Sequence, residues 1–190
     1  MRECACTPGQ TVGPFLGLGL PYPGDSALVG DGRPGALRLH GTVYDGAGDG
    51  VPDALVELWQ TDGSGHIARQ PGSLRRGDRD DPAFTGWGRC ATDPAGHYGF
   101  TTVAPGPAGA GRPPFFALAV FARGLLDRLF TRAYLPGVDP GADPLLAGLA
   151  AERRVTLLCV AETDYPGYRF DVHLQGPRET VFLAYRDGRR

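Results

Sequence analysis

Few side chains in this sequence have the types and spacing that catalysis requires. We interpret the four histidines as solvated side chains rather than metal ligands; they are His40, His66, His97 and His173. The sequence has no phosphate-binding loop, no Gly-x-Gly-x-x-Gly after a strand and no Gly-x-Ser-x-Gly nucleophile turn. These absences argue against a hydrolase and against a nucleotide-dependent enzyme.

The four cysteines give equally little indication of chemistry. Cys4 and Cys6 form a Cys-x-Cys pair, which is a weak metal signal because two ligands do not close a site. Cys90 and Cys159 lie in apolar, strand-like surroundings and are expected to be buried thiols. Four cysteines in 190 residues do not indicate a disulfide framework, so we expect a cytoplasmic protein.

Length and composition predict one β-rich domain. A chain of 190 residues with a net charge of −2 has no basic excess that would indicate nucleic acid or an anionic membrane as a partner. The chain has 30 Gly and 18 Pro, but 42% of its residues are hydrophobic, which favours many short strands joined by turns over disorder. No apolar run reaches the length of a membrane span, and the first residues do not resemble a signal peptide.

The stretch from Gly106 to Arg123 is the centre of this organisation. Residues 106–114 contain three glycines and three prolines, which excludes regular structure. Residues 115–122 are eight consecutive apolar residues, a length and pattern typical of a buried central strand. A Gly/Pro loop that leads into a buried strand is a place where β-proteins often carry function.

Alternation and turn signals predict the remaining elements. The predicted strands cover residues 36–44, 54–60, 86–92, 98–103, 115–122, 129–135, 154–160 and 168–174. We expect residues 86–92 and 98–103 to pair as a hairpin, and residues 143–154 to form one short helix capped by Asp143 with Pro144 at its first position. The result is an all-β fold, a β-sandwich of seven to eight mainly antiparallel strands spanning residues 36–190.

Residues 1–35 are predicted to form an extended N-terminal arm. They show neither a strand period nor a helix period, and Gly and Pro recur through Gly35. Their apolar side chains are too numerous for a solvated tail; these are Phe15, Leu16, Leu18, Leu20 and Tyr22. We therefore expect the arm to pack on a neighbouring surface.

Several words of this sequence resemble the intradiol ring-cleavage dioxygenases, in order and over nearly the whole chain. They are Thr-Pro-x-Gln-Thr-x-Gly-Pro-Phe at 7–15, Ala-Leu-Val-Glu-Leu-Trp-Gln-Thr-Asp at 54–62, Gly-Trp-Gly-Arg-Cys-Ala-Thr at 86–92, Gly-Phe-Thr-Thr-Val-Ala-Pro-Gly-Pro at 99–107, Phe-Ala-Arg-Gly at 121–124 and Tyr-Arg-Phe-Asp-Val-His-Leu-Gln-Gly at 168–176. Catalytic members of the family hold Fe(III) with two Tyr and two His. Phenolate oxygen suits this hard cation and leaves room for a catecholate.

The resemblance implies that this chain has lost all four ligands. The two Tyr positions are Ile67 and Ala108, and the two His positions, in a His-x-His after Arg-Pro-x, are Phe115 and Ala117. None of these side chains carries a lone pair for a metal. His66 precedes the first position, but a neighbour in an extended chain faces the other way.

A ligand-free member has an explanation within the family, in which some enzymes pair two homologous subunits. The beta subunit carries the iron, and the alpha subunit keeps the fold and lends residues to the beta site. By this resemblance the substrate mouth would be lined by Thr11, Gly13, Pro14 and Arg123. The substrates would be O2 and a small aromatic acid, whose carboxylate an arginine can steer and orient.

Two alternatives belong to other classes. One is a stand-alone β-sandwich that binds or scaffolds without catalysis, which would be a monomer with no affinity for a beta subunit. The other is a self-sufficient dioxygenase, against which the four substituted ligand positions argue.

Overall fold

The computed structural model describes residues 10–13, 15–30, 32–68, 84–109 and 111–184. The predictions for Cys4, Cys6 and Pro14 lie outside these residues. Within the described ranges the strands are β1 (Ala36–Tyr44), β2 (Leu55–Trp59), β3 (Trp87–Ala91), β4 (His97–Val103), β5 (Phe115–Phe121), β6 (Leu129–Tyr134), β7 (Val160–Ala161), β8 (Gly167–Arg169) and β9 (Val172–His173). The helices are α1 (Leu16–Gly19), α2 (Pro144–Ala147) and α3 (Ala151–Arg154), with 3-10 turns at Pro140–Ala142 and Val155–Leu157.

The strands form two sheets, which confirms the predicted all-β sandwich. One sheet has the order β4-β1-β8-β7, with β9 also paired to β1, and the other has the order β3-β2-β5-β6. Pairing is antiparallel except where β1 meets β8 and β9. Within the described ranges the sandwich thus has one more strand than the upper count expected from the sequence, and several short helical turns in place of one helix.

The core lies between the two sheets. Alternate residues of β1 and β4 pack against alternate residues of β2 and β5, which follows from the two-residue period of a strand. The large, almost fully buried members include Leu39, Phe100, Leu58, Phe116 and Leu118. The prediction that residues 115–122 form a buried central strand is confirmed, since β5 pairs with β2 on one side and β6 on the other.

The predicted hairpin of residues 86–92 and 98–103 is wrong. β3 pairs with β2 and β4 pairs with β1, so the two strands lie in different sheets. The intervening turn is held against the β1–β2 connection: Val43 donates its N–H to Gly96 O, and a Cβ on Gly96 would lie only 2.8 Å from the Gly50 Cα. This close packing directs the chain from one sheet to the other instead of back along β3.

The prediction for residues 143–160 is only partly right. Asp143 caps α2 by accepting the N–H of Leu145 at 2.8 Å, with Pro144 at the first helical position as expected. The helix ends at Ala147 with Gly148 as its C-cap, and α3 forms separately. Residues 155–157 form a 3-10 turn rather than a strand, because the turn buries Leu157 in a second apolar cluster.

The predicted strand at residues 168–174 is interrupted. β8 and β9 both pair with β1, but Phe170 and Asp171 lie between them, opposite Gly41 and Thr42. The Phe170 carbonyl accepts a 2.6 Å hydrogen bond from the Tyr98 hydroxyl, and the Asp171 carboxylate accepts the N–H of Thr42 at 3.1 Å. The Tyr98 hydroxyl and the Asp171 carboxylate thus replace part of the backbone hydrogen bonding between the two strands at this point.

The last part of the predicted arm packs on the chain's own sandwich. Leu28 donates its N–H to Thr101 O at 2.8 Å, Thr101 donates to Ser26 O at 3.0 Å, and Leu28 itself is fully buried. On the other side Arg89 donates its N–H to Asp25 O at 2.7 Å. Residues 25–28 therefore connect β4 of one sheet to β3 of the other.

Candidate functional site

Two tight loops interlock beside the end of β2 and bring together Ile67 and Ala108, where the resemblance implies tyrosine ligands in catalytic members. Gly106 donates its N–H to Asp62 O at 2.7 Å, and the Thr61 hydroxyl donates to Gly106 O at 2.7 Å. Gly65 has a φ of +86°, a conformation that favours glycine, and a Cβ there would overlap the Pro107 carbonyl. A Cβ on Gly106 would in turn overlap the Gly65 backbone nitrogen, so glycine is required on both loops. The contact between the two loops places Ile67 and Ala108 on the same side.

The Asp62 carboxylate shapes the first of these loops. It accepts the backbone N–H of His66 at 2.9 Å and of Ser64 at 2.8 Å. These hydrogen bonds, that from His66 first, lower the pKa of Asp62 from its usual 3.8. The His66 ring lies on the solvent side near the same carboxylate, with Nδ1 3.7 Å from Oδ2, and does not line the pocket described next.

Phe115 and Ala117, where the resemblance implies histidine ligands in catalytic members, lie at the start of β5, next to Trp59. Trp59 pairs directly with Ala117 in the antiparallel ladder of β2 and β5. Phe115 is on the same face as Ala117 because residues i and i+2 of a strand point the same way. Together with Ile67 and Ala108 they line one pocket of about 250 Å³, whose other lining residues are Trp59, Gln60, Thr61, Ala68, Thr85, Gly86 and Gly106.

The pocket has an apolar interior without a metal-ligand set. None of the side chains of Ile67, Ala108, Phe115 and Ala117 offers a donor atom to a cation. The hydroxyl of Thr61 and the amide of Gln60 are already bonded within the chain, the latter to the carbonyls of Thr61 and Val103. In the described ranges no group of three or more His, Cys, Asp and Glu side chains could hold a metal ion. The residues present do not fit Fe(III).

An arginine, which sequence reasoning missed, stands against one wall of this pocket. Arg132 pairs with Ala117 across β5 and β6, and its guanidinium carbon lies 4.4 Å from the centre of the Phe115 ring. It donates to the Asp143 carboxylate and to the Tyr134 hydroxyl, both at 3.2 Å. The strand register could have indicated its position, but the sequence alone does not give that register.

Thr11, a predicted mouth residue, contacts the residue next to Arg123 at the other end of β5. Gly124 donates its N–H to the Thr11 hydroxyl, and Arg123 forms an ion pair with Asp53. Gly13 accepts the N–H of Leu16 and faces open space, whereas Pro14 lies outside the described residues. Arg123 is six residues from Ala117, or roughly 20 Å along an extended strand. It therefore does not line the pocket of its own chain.

The chain is similar in sequence to dioxygenases of one family. The model of a family described as "Dioxygenase" matches residues 22–176. The chain is 40% identical over 200 residues to the protocatechuate 3,4-dioxygenase alpha chain of Burkholderia cepacia, covering 93% of this chain and 96% of that one. The chain belongs to the intradiol ring-cleavage dioxygenase family. Members of this family use iron.

Further relatives of this intradiol dioxygenase chain include a beta chain. The protocatechuate 3,4-dioxygenase beta chain of Burkholderia cepacia is 34% identical over 165 residues, covering 78% of this chain and 68% of the relative. The solved structure of an intradiol ring-cleavage dioxygenase from Tetranychus urticae shares the fold, with a TM-score of 0.60, 16% identity, and coverage of 94% and 98% of the two chains. In the part of the chain that the structure describes, no helix is long and apolar enough to cross a membrane.

Proposed function

We propose that this chain is the iron-free alpha subunit of a protocatechuate 3,4-dioxygenase. The assembled enzyme would open the ring of protocatechuate between its hydroxyls with O2, giving 3-carboxy-cis,cis-muconate. The single observation that carries the proposal is one pocket that brings together Ile67, Ala108, Phe115 and Ala117, the four positions at which we infer that catalytic relatives hold iron. The 40% identity to an alpha chain supports the same assignment.

Fe(III) would be held by a beta subunit. This chain is 34% identical to the beta chain of a related enzyme, so the two subunits would be homologous. The present chain would contribute Thr11, Gly13, Pro14 and Arg123 to the mouth of that site. Thr11 accepts a hydrogen bond from Gly124, the residue after Arg123, and this proximity of two distant segments supports the assignment. Because Arg123 lies far from the chain's own pocket, the geometry favours a role in the facing site of the partner over one in its own pocket.

The N-terminal arm is proposed to pack on the beta subunit. Phe15 and Leu18 are 77% and 78% exposed on and beside the short helix α1. Large apolar side chains that cluster at the surface commonly mark an interface. We also propose a cytoplasmic location, which the free thiols of Cys90 and Cys159 support.

Co-expression with an iron-carrying beta chain tests this function. We expect the two chains to purify together and to cleave protocatechuate with O2. The iron content of the complex should follow the number of beta chains, with none contributed by this chain. The chain purified without beta should show no tyrosinate-to-iron colour and no stoichiometric iron. A coloured, iron-loaded lone chain would support the self-sufficient dioxygenase. A monomer that never binds beta would support the stand-alone scaffold.

A further inference from the structure

Asp53 and Arg123 face each other where β2 and β5 leave the sheet. Leu55 pairs with Phe121 at the last position of the antiparallel ladder. Moving two residues back along β2 and two forward along β5 keeps the same register, so Asp53 lies directly opposite Arg123. The fold thus creates this ion pair, in which Asp53 Oδ2 contacts Arg123 Nε.

The contact approaches the guanidinium from its Nε side, since the atom of Arg123 that lies against Asp53 Oδ2 is Nε. The Arg123 side chain is 56% exposed and that of Asp53 only 24%, so the carboxylate is the more enclosed partner. An arginine held through Nε can still present its terminal nitrogens to a carboxylate, the arrangement that gives two parallel hydrogen bonds.

Asp53 also lies beside the arm. A Cβ on Gly17 of α1 would be 3.8 Å from the Asp53 carbonyl oxygen, and Thr11 binds the residue after Arg123. Asp53, at the end of the β1–β2 connection, therefore lies against both the N-terminal arm and the end of β5, the two elements that carry the proposed mouth residues. No sequence word that resembles the family includes Asp53, so only the structure indicates it.

We propose that Asp53 is a positioning residue that orients Arg123 toward the carboxylate of the aromatic substrate. This inference rests on the proposed function. A free arginine side chain has many rotamers, and binding a carboxylate requires one of them. Asp53 selects an orientation before substrate arrives, which reduces the cost of ordering the side chain on binding.

A competing effect has the opposite sign and makes the proposal testable. The negative charge of Asp53 offsets the positive charge that attracts an anionic substrate. If this offset dominated, removal of Asp53 would improve use of protocatechuate. If orientation dominates, removal of Asp53 impairs use of protocatechuate, and asparagine at this position, an acceptor without charge, restores part of the loss.

The experiment is a double-mutant cycle in the co-expressed alpha–beta complex. Asp53→Ala, Asp53→Asn, Arg123→Ala and the double variant Asp53→Ala/Arg123→Ala are compared by kcat/KM for protocatechuate and for catechol, which lacks the carboxylate. Asp49→Ala is the matched control, since Asp49 is an exposed aspartate of the same connection. Iron content, co-purification and thermal unfolding of each complex report on assembly.

We expect Asp53→Ala to lower kcat/KM for protocatechuate about three- to tenfold, with a smaller change for catechol. Asp53→Asn should recover part of this loss, because its amide oxygen can still accept from Nε. In the Arg123→Ala background the Asp53→Ala change should have no further effect.

Several results would overturn the inference. Equal losses from Asp53→Ala with and without Arg123 would show that Asp53 acts independently of the arginine. Unchanged or improved use of protocatechuate by Asp53→Ala would show that it does not orient Arg123 for substrate. A normal Arg123→Ala enzyme would remove the assigned role of Arg123 as well. A wild-type complex without ring cleavage would instead overturn the proposed function itself.

Discussion

The hydroxyl oxygen of Thr11 accepts a 2.7 Å hydrogen bond from the backbone N–H of Gly124, although 113 positions separate the two residues. Gly124 directly follows Arg123, so this bond places the N-terminal arm beside the arginine. The sequence words at 7–15 and 121–124, which are far apart in the chain, thus contribute to one surface.

Replacing Thr11 by valine should release the Gly124 amide. The change keeps the branched shape and removes the acceptor oxygen, so the amide loses its partner. Because the contact is exposed, the expected loss lies near the low end of the range for a hydrogen bond, about 0.5–1 kcal/mol. Hydrogen-exchange mass spectrometry on the complex should show faster exchange at Gly124, whereas Thr163→Val, which removes another exposed hydroxyl contact, should leave that amide unchanged.

Arg123→Ala should impair substrate use without affecting iron loading. If the guanidinium contacts the carboxylate, kcat/KM for protocatechuate should fall roughly ten- to a hundredfold, corresponding to about 1.5–3 kcal/mol for a charge-assisted hydrogen bond. The loss should be smaller for catechol. Steady-state oxygen uptake measures both, and Arg178→Ala, at another exposed arginine, is the control. Equal losses for the two substrates would mean that Arg123 shapes the pocket and does not recognise the carboxylate.

Gly41→Ala should destabilise the sandwich strongly. A Cβ at this position would overlap the Phe170 carbonyl, which is held in place by the Tyr98 hydroxyl. Since backbone must move to relieve the overlap, we expect a loss of about 3 kcal/mol in the free energy of unfolding. Gly30→Ala, which has open space around its Cβ, should be nearly neutral. Thermal unfolding of the two complexes gives the comparison; similar melting temperatures would contradict the expected overlap.

Acid should weaken the region around His173. Burial, and then the positive charge of Arg178, lower the pKa of His173 below its usual 6.5, while Asp171 acts in the opposite direction. Between the lowered pKa and 6.5 the unfolded chain binds more protons than the folded one, so stability falls as pH falls through this window.

The His173→Gln variant should therefore lose less stability on acidification. Arg178→Ala should also weaken the dependence, because it removes one of the influences that lower the pKa. Urea titration with hydrogen-exchange readout on this chain's peptides in the complex, between about pH 5 and 7.5, measures both. Identical pH slopes in wild type and His173→Gln would contradict the assignment.

Cys159 should resist alkylation in the native complex. Burial raises the pKa of its thiol from 9.0 to about 12, which lowers its thiolate fraction about a thousandfold. Burial also raises the pKa of Cys90, whose thiol lies in contact with the Gly99 amide. Peptide mapping after N-ethylmaleimide treatment at pH 8 should show both thiols protected in the native complex and modified in urea. Rapid native labelling of Cys159 would contradict its burial.

The sequence predicted strands better than it predicted their partners. Alternation in β1 and the apolar run of β5 follow from local burial, and both were located within about one residue. The turn at residues 93–96 has the composition of a hairpin turn, yet it joins two sheets, because Gly96 packs on the distant Gly50. Such a contact depends on tertiary structure, which alternation along one strand does not contain.

The candidate site also contains residues that the sequence could indicate and residues that it could not. The resemblance predicted Ile67, Ala108, Phe115 and Ala117 as former ligand positions, and the structure brings these four residues to one pocket. Arg132 and Asp53 could not be found in this way, because their significance depends on which residue lies opposite them in the ladder. Composition gave no signal for either, since both are common charged residues in ordinary positions.

The segment at residues 26–28 has a consequence for solubility before assembly. β4 is the outermost strand of its sheet, and an outermost strand presents unpaired N–H and C=O groups that can recruit another chain. Ser26 and Leu28 occupy these groups at Thr101, and Leu28 seals the adjoining core. A shortened chain that begins after residue 30 would expose this edge and gain a route to aggregation, whereas one that begins before Tyr22 would keep it covered.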